Sequence, residues 1–282
     1  GRHDLPWQQN PTAYSIWVSE IMLQQTQVST VIPYYQAFMQ RFPDLATLAM
    51  APLAAVLHQW AGLGYYARAR HLHQTAQRLQ QNHNGQFPPT LEAVMALPGI
   101  GRSTAGAILA LAYHQPHPIL DGNVKRVLSR FHAIAGWPGQ AAVAQQLWQL
   151  ATAHTPTHDD VAAYTQAIMD LGATVCTRQQ PACWRCPVQA DCQAWQTQTI
   201  DRYPQAKPKA LRPVKALQLL MVFDETGRLY LELRPTPGIW AGLWSLPECP
   251  AQEDPLAWCQ QRWQVTPTDL HCFPVHQGNG GA

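Results

Sequence analysis

Apolar positions recur at helical spacing through the first two-thirds of the chain. Tyr14, Trp17, Val18, Ile21 and Met22 follow the i, i+3, i+4, i+7, i+8 pattern of a packed helix. Ile16 and Leu23 make the same segment apolar on its other side, which predicts deep burial. The same spacing predicts helices near 28–41, 53–60, 66–81, 91–97, 103–113, 124–134, 141–154 and 161–175, joined by short loops with Pro or Gly. No repeat of solenoid type is present. After Cys192 the pattern changes. Residues 197–213 are polar, with Pro204, Pro208, Pro213, Lys207, Lys209 and Arg212, and predict a basic linker. The apolar run 216–223 predicts a buried strand, 224–227 a turn and 229–233 a returning strand. A helix is predicted from Pro255 to Trp263. The chain is thus expected to be mainly α, with an α+β domain starting near Val214.

Composition narrows this picture. The 282 residues are 46% hydrophobic and only 13% charged, which argues against long disorder and coiled coil and favours two domains. The longest apolar runs are far below the roughly 20 residues of a membrane span. No signal peptide is apparent, and Gly1 suggests a trimmed start. Charge is uneven: residues 1–215 carry 16 basic and 10 acidic side chains, residues 216–282 carry 3 and 7. A polyanion partner for the first part is allowed by this balance but not required.

Four of the seven cysteines (Cys176, Cys183, Cys186 and Cys192) crowd one short stretch, whereas Cys249, Cys259 and Cys272 are scattered. Clustering of this kind points to a metal centre in a reducing cytosol rather than to disulfides. Zinc ribbons usually show two Cys-x-x-Cys knuckles. A single Cys-x-x-Cys flanked by lone cysteines fits an iron–sulfur cluster better. Arg178 and Arg185 would bring positive charge from this loop towards phosphates.

Three further segments carry candidate chemistry. Leu97-Pro98-Gly99-Ile100-Gly101-Arg102-Ser103 makes a tight turn into a helix whose free N–H groups suit a phosphate; its plainer role is a helix connector. Glu20 is the only charged residue between Asp4 and Arg41, on a helix expected to be buried. Burial would raise its pKa and leave a proton to donate near neutrality, or it has a structural hydrogen-bond partner. Asp121 is an N-cap, or a carboxylate at a helix mouth that steadies a developing cation, with Lys125 and Arg126 suited to phosphates. Gln24-Gln25-Thr26-Gln27 and Gly62-Leu63-Gly64-Tyr65-Tyr66 are either a polar helix end and a core aromatic, or groups that read base edges and wedge into a base stack.

Together these segments resemble the helix-hairpin-helix DNA glycosylase superfamily, related to endonuclease III, and within it the adenine glycosylases of MutY type. The matching strings are Leu5-Pro6-Trp7, SEIMLQQTQV from Ser19, GLGYYARAR from Gly62, LPGIGRSTAGAIL from Leu97, ILDGNVKRVL from Ile119, MDLGA from Met169 and the cysteine group. Gly238-Ile239-Trp240-Ala241-Gly242-Leu243-Trp244 resembles a Nudix-like domain. The resemblance implies a two-lobed glycosylase domain over 1–196 with its cluster loop at 176–192, a linker over 197–213, and a truncated Nudix-like lesion-recognition domain over 214–282.

It also implies an activity: removal of adenine mispaired with 8-oxoguanine or guanine in double-stranded DNA, by a monomer of the bacterial cytoplasm and nucleoid with no membrane role. Glu20 matches the acid that protonates adenine N7 and later places water. Asp121 matches the aspartate that stabilises an oxocarbenium-like sugar. Tyr65 and Gln25 match residues inserted near the 8-oxoguanine, Thr26 and Leu63 others that contact it, and Gln8, Gln24 and Gln166 the surroundings of the adenine. Gly99 and Gly101 would bind phosphate through the backbone, and the four cysteines would hold a [4Fe–4S] cluster. Where lyases of the superfamily carry a lysine, this chain has Ser103, which cannot form a Schiff base; His3 likewise replaces a lysine linked to side reactions. A monofunctional hydrolase is therefore expected. The alternatives are a bifunctional lyase and a non-catalytic iron–sulfur protein that binds DNA. The stretch 273–276 stops short of a Phe-Ser-His-like loop, so weaker separation of 8-oxoguanine from guanine than in a full-length relative is expected.

Overall fold

The computed structural model describes residues 5–208, 216–235, 238, 240–264 and 271. His3, Val214, Ile239 and the stretch 273–276 lie outside the described residues. The chain divides into two compact units, 1–208 and 209–282.

The first unit is helical. Helix α1 (Ala13–Leu23) opens with a capping box, in which Thr12 Oγ1 accepts from Ser15 N and Ser15 Oγ accepts from Thr12 N. It buries residues all round its circumference, from Tyr14 to Met22, as its sequence predicts. α2 (Val28–Arg41) follows, then α3 (Leu45–Met50), which periodicity missed. Six residues are too few to display a repeat; the signal is Asp44, whose carboxylate accepts from Thr47 N at 2.7 Å. Next come α4 (Leu53–Gln59), α5 (Ala67–Asn82), α6 (Leu91–Met95), α7 (Arg102–Tyr113), α8 (Gly122–Phe131), α9 (Ala141–His154), α10 (Val161–Thr174) and a short α11 (Gln193–Gln196). α8 ends earlier than predicted because Ala133 turns to φ 48° and Ile134 N bonds back to Ser129 O.

Two cores fill this unit. The larger gathers Trp17, Met22, Phe38, Trp60 and Leu72 with Ala105, Ile108 and Leu109 of α7. The smaller gathers Ile119, Leu120, Val124, Leu128, Leu147 and Ile168 with Ala107 of the same helix. α7 is therefore the shared wall of two lobes. Two glycines permit the close approaches that set the second lobe against it. A Cβ on Gly106 would meet Pro118 O at 2.6 Å, and one on Gly172 of α10 would meet Asn123 Cβ at 2.5 Å. Both approaches bear on the segment around Asp121.

Residues 197–208, predicted as linker, cluster with the helical unit. Arg130 Nε donates to Tyr203 O at 3.0 Å, and the Lys207 ammonium lies 5.3 Å from the centre of the Trp137 ring.

In the second unit β1 (Leu217–Leu219) pairs antiparallel with β4 (Glu248–Pro250), and β2 (Glu232–Leu233) with β3 (Trp244–Ser245). α12 (Pro255–Trp263) follows, capped by Asp254. The predicted turn forms at Asp224–Gly227, but the strands beside it meet only in a single bridge, Phe223 to Leu229. The expected buried strand is corrected: Leu219, Met221 and Phe223 are each more than half exposed, because the described strands pair only as two-stranded ribbons. No described helix is long and apolar enough to cross a membrane.

Candidate active site and cysteine loop

Glu20 and Asp121 come from different lobes, yet lie near enough for the charge of one to act on the other. Glu20 lies in the last turns of α1, among Trp17, Ile21 and Met22. Part of the residue's surface stays open, but protein mass surrounds the carboxyl and governs its solvation. Burial, and after it the charge of Asp121, pushes that carboxyl up to about 8. Among the described residues none hydrogen-bonds it.

Asp121 takes the capping role considered for it. It is the N-cap of α8: Oδ1 accepts from Val124 N at 2.8 Å. Its Oδ2 accepts from Asn123 Nδ2 at 3.2 Å. The helix dipole and two donors thus support a negative charge where Glu20 feels it. Asn123 cannot turn its amide round, because its Oδ1 accepts from Arg126 Nη2 at 2.9 Å. Arg126 also donates to Gly172 O and Cys176 O, both at 2.6 Å. The guanidinium is half-buried in this work, which corrects its expected phosphate role. Lys125 is half-exposed on the first turn of α8.

The hairpin turn reaches α7 through Gly99 at φ 73° and Gly101, the helix N-cap. No side chain caps the first turn of α7, and nothing lies within 4 Å of a Cβ placed on Gly101. Backbone donors there are open to an anion. Ser103 Oγ is engaged instead with Leu120 N, at 2.9 Å, which ties α7 to the residue before Asp121.

Two turns flank the end of α1. Gln24 closes that helix, its amide 3.5 Å from Thr104 Oγ1; Gln25 is exposed at φ 58°, and Thr26 is half-buried. Across from them Tyr65, at φ 49°, is 42% exposed, so it is not a core aromatic. Leu63 is only 5% exposed and belongs to the larger core, so its expected contact with a base is not available in this conformation. Arg68 bridges the two turns, and nothing in the sequence reading singled it out. Gln8 lies in a short 3-10 turn packed on α1, and both atoms of its amide are buried without a partner among the described residues. Gln166 Nε2 donates to Asp170 Oδ1 at 2.9 Å on α10.

The four cysteines line one cavity of about 30 Å³ with Val127, Phe131, Leu171 and Trp195. Burial first, and then mutual repulsion, raises the thiols of Cys183 and Cys186. Buried Arg130 counters this: Nη1 lies 3.4 Å from Cys176 Sγ and also donates to Thr177 O at 2.7 Å. Among the described residues no three His, Cys, Asp or Glu side chains converge on one ion; the sulfurs ring a space instead. Arg178 is exposed, while Arg185 donates to Thr174 O at 2.8 Å. A cavity of about 830 Å³, lined by Leu128, Phe131, Tyr164 and Ile168, opens between α8 and α10 beside this loop, away from Glu20.

Comparison with known proteins bears on the family and the fold. Residues 18–153 match the family of HhH-GPD superfamily base excision DNA repair proteins. The adenine DNA glycosylase of Buchnera aphidicola from Acyrthosiphon pisum is 38% identical over 93% of this chain and 74% of its own length. The adenine DNA glycosylase of Homo sapiens is 47% identical over 69% of this chain and 37% of its own length. A solved thermostable thymine-DNA glycosylase shares the fold at a TM-score of 0.61 and 24% identity, covering 69% of this chain and 89% of that one. With Glu20, Asp121 and the hairpin in these positions, and three-quarters of the Buchnera protein matched, the chain belongs to the adenine DNA glycosylase family of base excision repair proteins.

Proposed function

We propose that this chain excises adenine opposite 8-oxoguanine or guanine from double-stranded DNA, as a monofunctional hydrolase acting as a monomer on the bacterial nucleoid. The observation that carries the reading is the Glu20–Asp121 pair: one carboxyl held protonated near neutrality, the other at a helix mouth that favours charge. In this mechanism Glu20 gives its proton to N7 of a flipped adenine. The C1′–N9 bond breaks with its electron pair going to the base. The cationic sugar is stabilised by Asp121 across the site. Water then adds to C1′, and the Glu20 carboxylate takes its proton, leaving an abasic site and free adenine.

The unpaired amide of Gln8 supports base recognition, because a buried donor and acceptor without partners are costly until a ligand satisfies them. Gln24 and Gln166 lie on the two lobes that would flank the base. The open backbone donors after Gly99 and Gly101, with Lys125, suit DNA phosphates. Gln25, Thr26 and Tyr65 suit the opposite strand. Ser103, engaged with Leu120 N, supports hydrolysis over a Schiff-base route.

An assay on duplexes with adenine opposite 8-oxoguanine, guanine and thymine tests the reading. The expected order is fastest excision opposite 8-oxoguanine, then guanine, with little opposite thymine, and no borohydride-trapped adduct. Equal rates on all three would remove the mispair preference, and a trapped adduct would restore the lyase.

Cys176, Cys183, Cys186 and Cys192 would hold a [4Fe–4S] cluster. An all-sulfur donor set around a shared cavity fits that group better than a single zinc, whose four ligands meet about 2.3 Å from one point. Such a centre would supply a covalent staple for the loop 176–192, and electron-transfer capacity with it. The purified protein is expected to be yellow-brown, with iron and sulfide near four each per chain. Cys186→Ser should lower stability and duplex affinity more than the excision rate at saturating protein. A colourless protein with one zinc per chain would refute the assignment. The second unit is proposed to be the Nudix-like lesion-recognition domain, on the strength of the 238–244 string.

A further inference from the structure

We propose that Arg68 is a positioning residue: its single guanidinium holds the turn at 24–26 and the turn at 62–65 in register, so that Gln25 and Tyr65 meet the duplex together. This rests on the reading of those two turns as duplex-facing. Arg68 stands in the first turn of α5 and is 8% exposed. No described carboxylate pairs with it. Its Nη1 instead gathers the carbonyls of Ile21, Met22 and Gln24 at 2.9, 2.8 and 2.7 Å. Carbonyls at the end of α1 lack helical partners and carry the negative end of the dipole, so a buried cation is accommodated there. Nη2 turns to the other side, towards Thr26 Oγ1 at 3.2 Å and the carbonyls of Gly64 and Leu63 at 3.3 and 3.5 Å. The guanidinium also lies 5.2 Å from the centre of the Tyr65 ring and 5.4 Å from that of Trp60.

The arrangement joins two strained segments. Gln25 and Tyr65 both sit in the left-handed backbone region, which persists only where surroundings enforce it. Each is fixed on a turn whose backbone the same guanidinium grips. A lysine could not do this, because one nitrogen cannot span both sides of the fork. Arg68 Nε is buried with no hydrogen-bond partner among the described residues. The same group touches the last carbonyls of the helix that carries Glu20, so the turns and the acid share one anchor.

The test uses the full chain and duplexes with 2-aminopurine beside the base opposite the target adenine, whose fluorescence rises on unstacking. Arg68→Lys is expected to cut that rise at least threefold and to slow single-turnover excision at saturating protein about tenfold. In a background with both Gln25→Ala and Tyr65→Ala the same change should cost under about twofold more, because its effect runs through those two side chains. Equal losses in both backgrounds would mean a general structural role and overturn the proposal. So would a full fluorescence rise in Arg68→Lys. Should Arg68→Lys fail to fold, Thr26→Val removes one acceptor and leaves the guanidinium; it should lower the rise about twofold, and an unchanged rise overturns the proposal. A wild-type chain that leaves the probe stacked overturns the duplex-facing reading itself, and this proposal with it.

Discussion

Glu20→Gln is expected to lose adenine excision by about 10²–10⁴-fold in single turnover, the usual worth of a positioned general acid, while duplex binding stays within a few-fold of wild type. The same substitution should stabilise the protein at high pH. Burial pushes the folded-state carboxyl up to about 8, against an ordinary value of 4.5. Folding therefore takes up a proton between those two values. The stability tied to that proton is fully present below the lower value and is lost as pH rises through the upper one. Gln cannot ionise, so its variant escapes the loss. The expected gain over wild type is on the order of 3–5 kcal/mol at pH 9, and it should shrink towards zero near pH 4. Urea unfolding of both proteins across this range checks the sign. Wild-type excision should likewise fall as pH rises past about 8, where Glu20 gives up its proton. Near-wild-type single-turnover excision by the variant would take Glu20 out of the mechanism.

The second large effect separates the two roles of Asp121. Asparagine caps helices about as well as aspartate, so Asp121→Asn should keep the bond from Val124 N and change stability by only about 1 kcal/mol. It removes the negative charge that faces the sugar, and excision should fall about 10²–10³-fold, as when one preorganised electrostatic partner is lost. Part of the stability change has a definite source. Asn123 presents Nδ2 to Asp121 because Arg126 fixes its oxygen, so the new amide meets a donor where Oδ2 had accepted. The upward push that Asp121 gives Glu20 also disappears, and the alkaline fall of the residual excision rate should move to lower pH. An Asp121→Asn chain that unfolds outright, or one that excises normally, would show that capping alone explains the residue.

Much of this was legible without coordinates, for identifiable reasons. Burial of α1 follows from apolar residues on every side, and a lone Glu20 within it stands out because isolated charges rarely enter such helices. The cysteine group is visible because four thiols in so short a stretch have few other uses. Asp121 carries a local capping signal that spacing alone exposes. What failed was short or non-local. α3 had too few residues for a repeat, and the run 216–223 had the composition of a buried strand without the partners that bury it.

The deeper gap concerns arginine. In a sequence Arg68 and Arg126 look like surface cations available to phosphates, since charged side chains are seldom buried. Tertiary packing made them internal: α1 and α10 end where carbonyls lack partners, and a planar five-donor group satisfies several of them from one position. The residue types proposed to perform the chemistry, and their local elements, were set by sequence, because capping and periodicity act within a few residues. Only the folded chain decided that Asp121 lies near enough to act on Glu20 and that two distant turns share one guanidinium, because those relations depend on close approaches, such as Gly106 to Pro118 O and Gly172 to Asn123, between residues far apart in the chain.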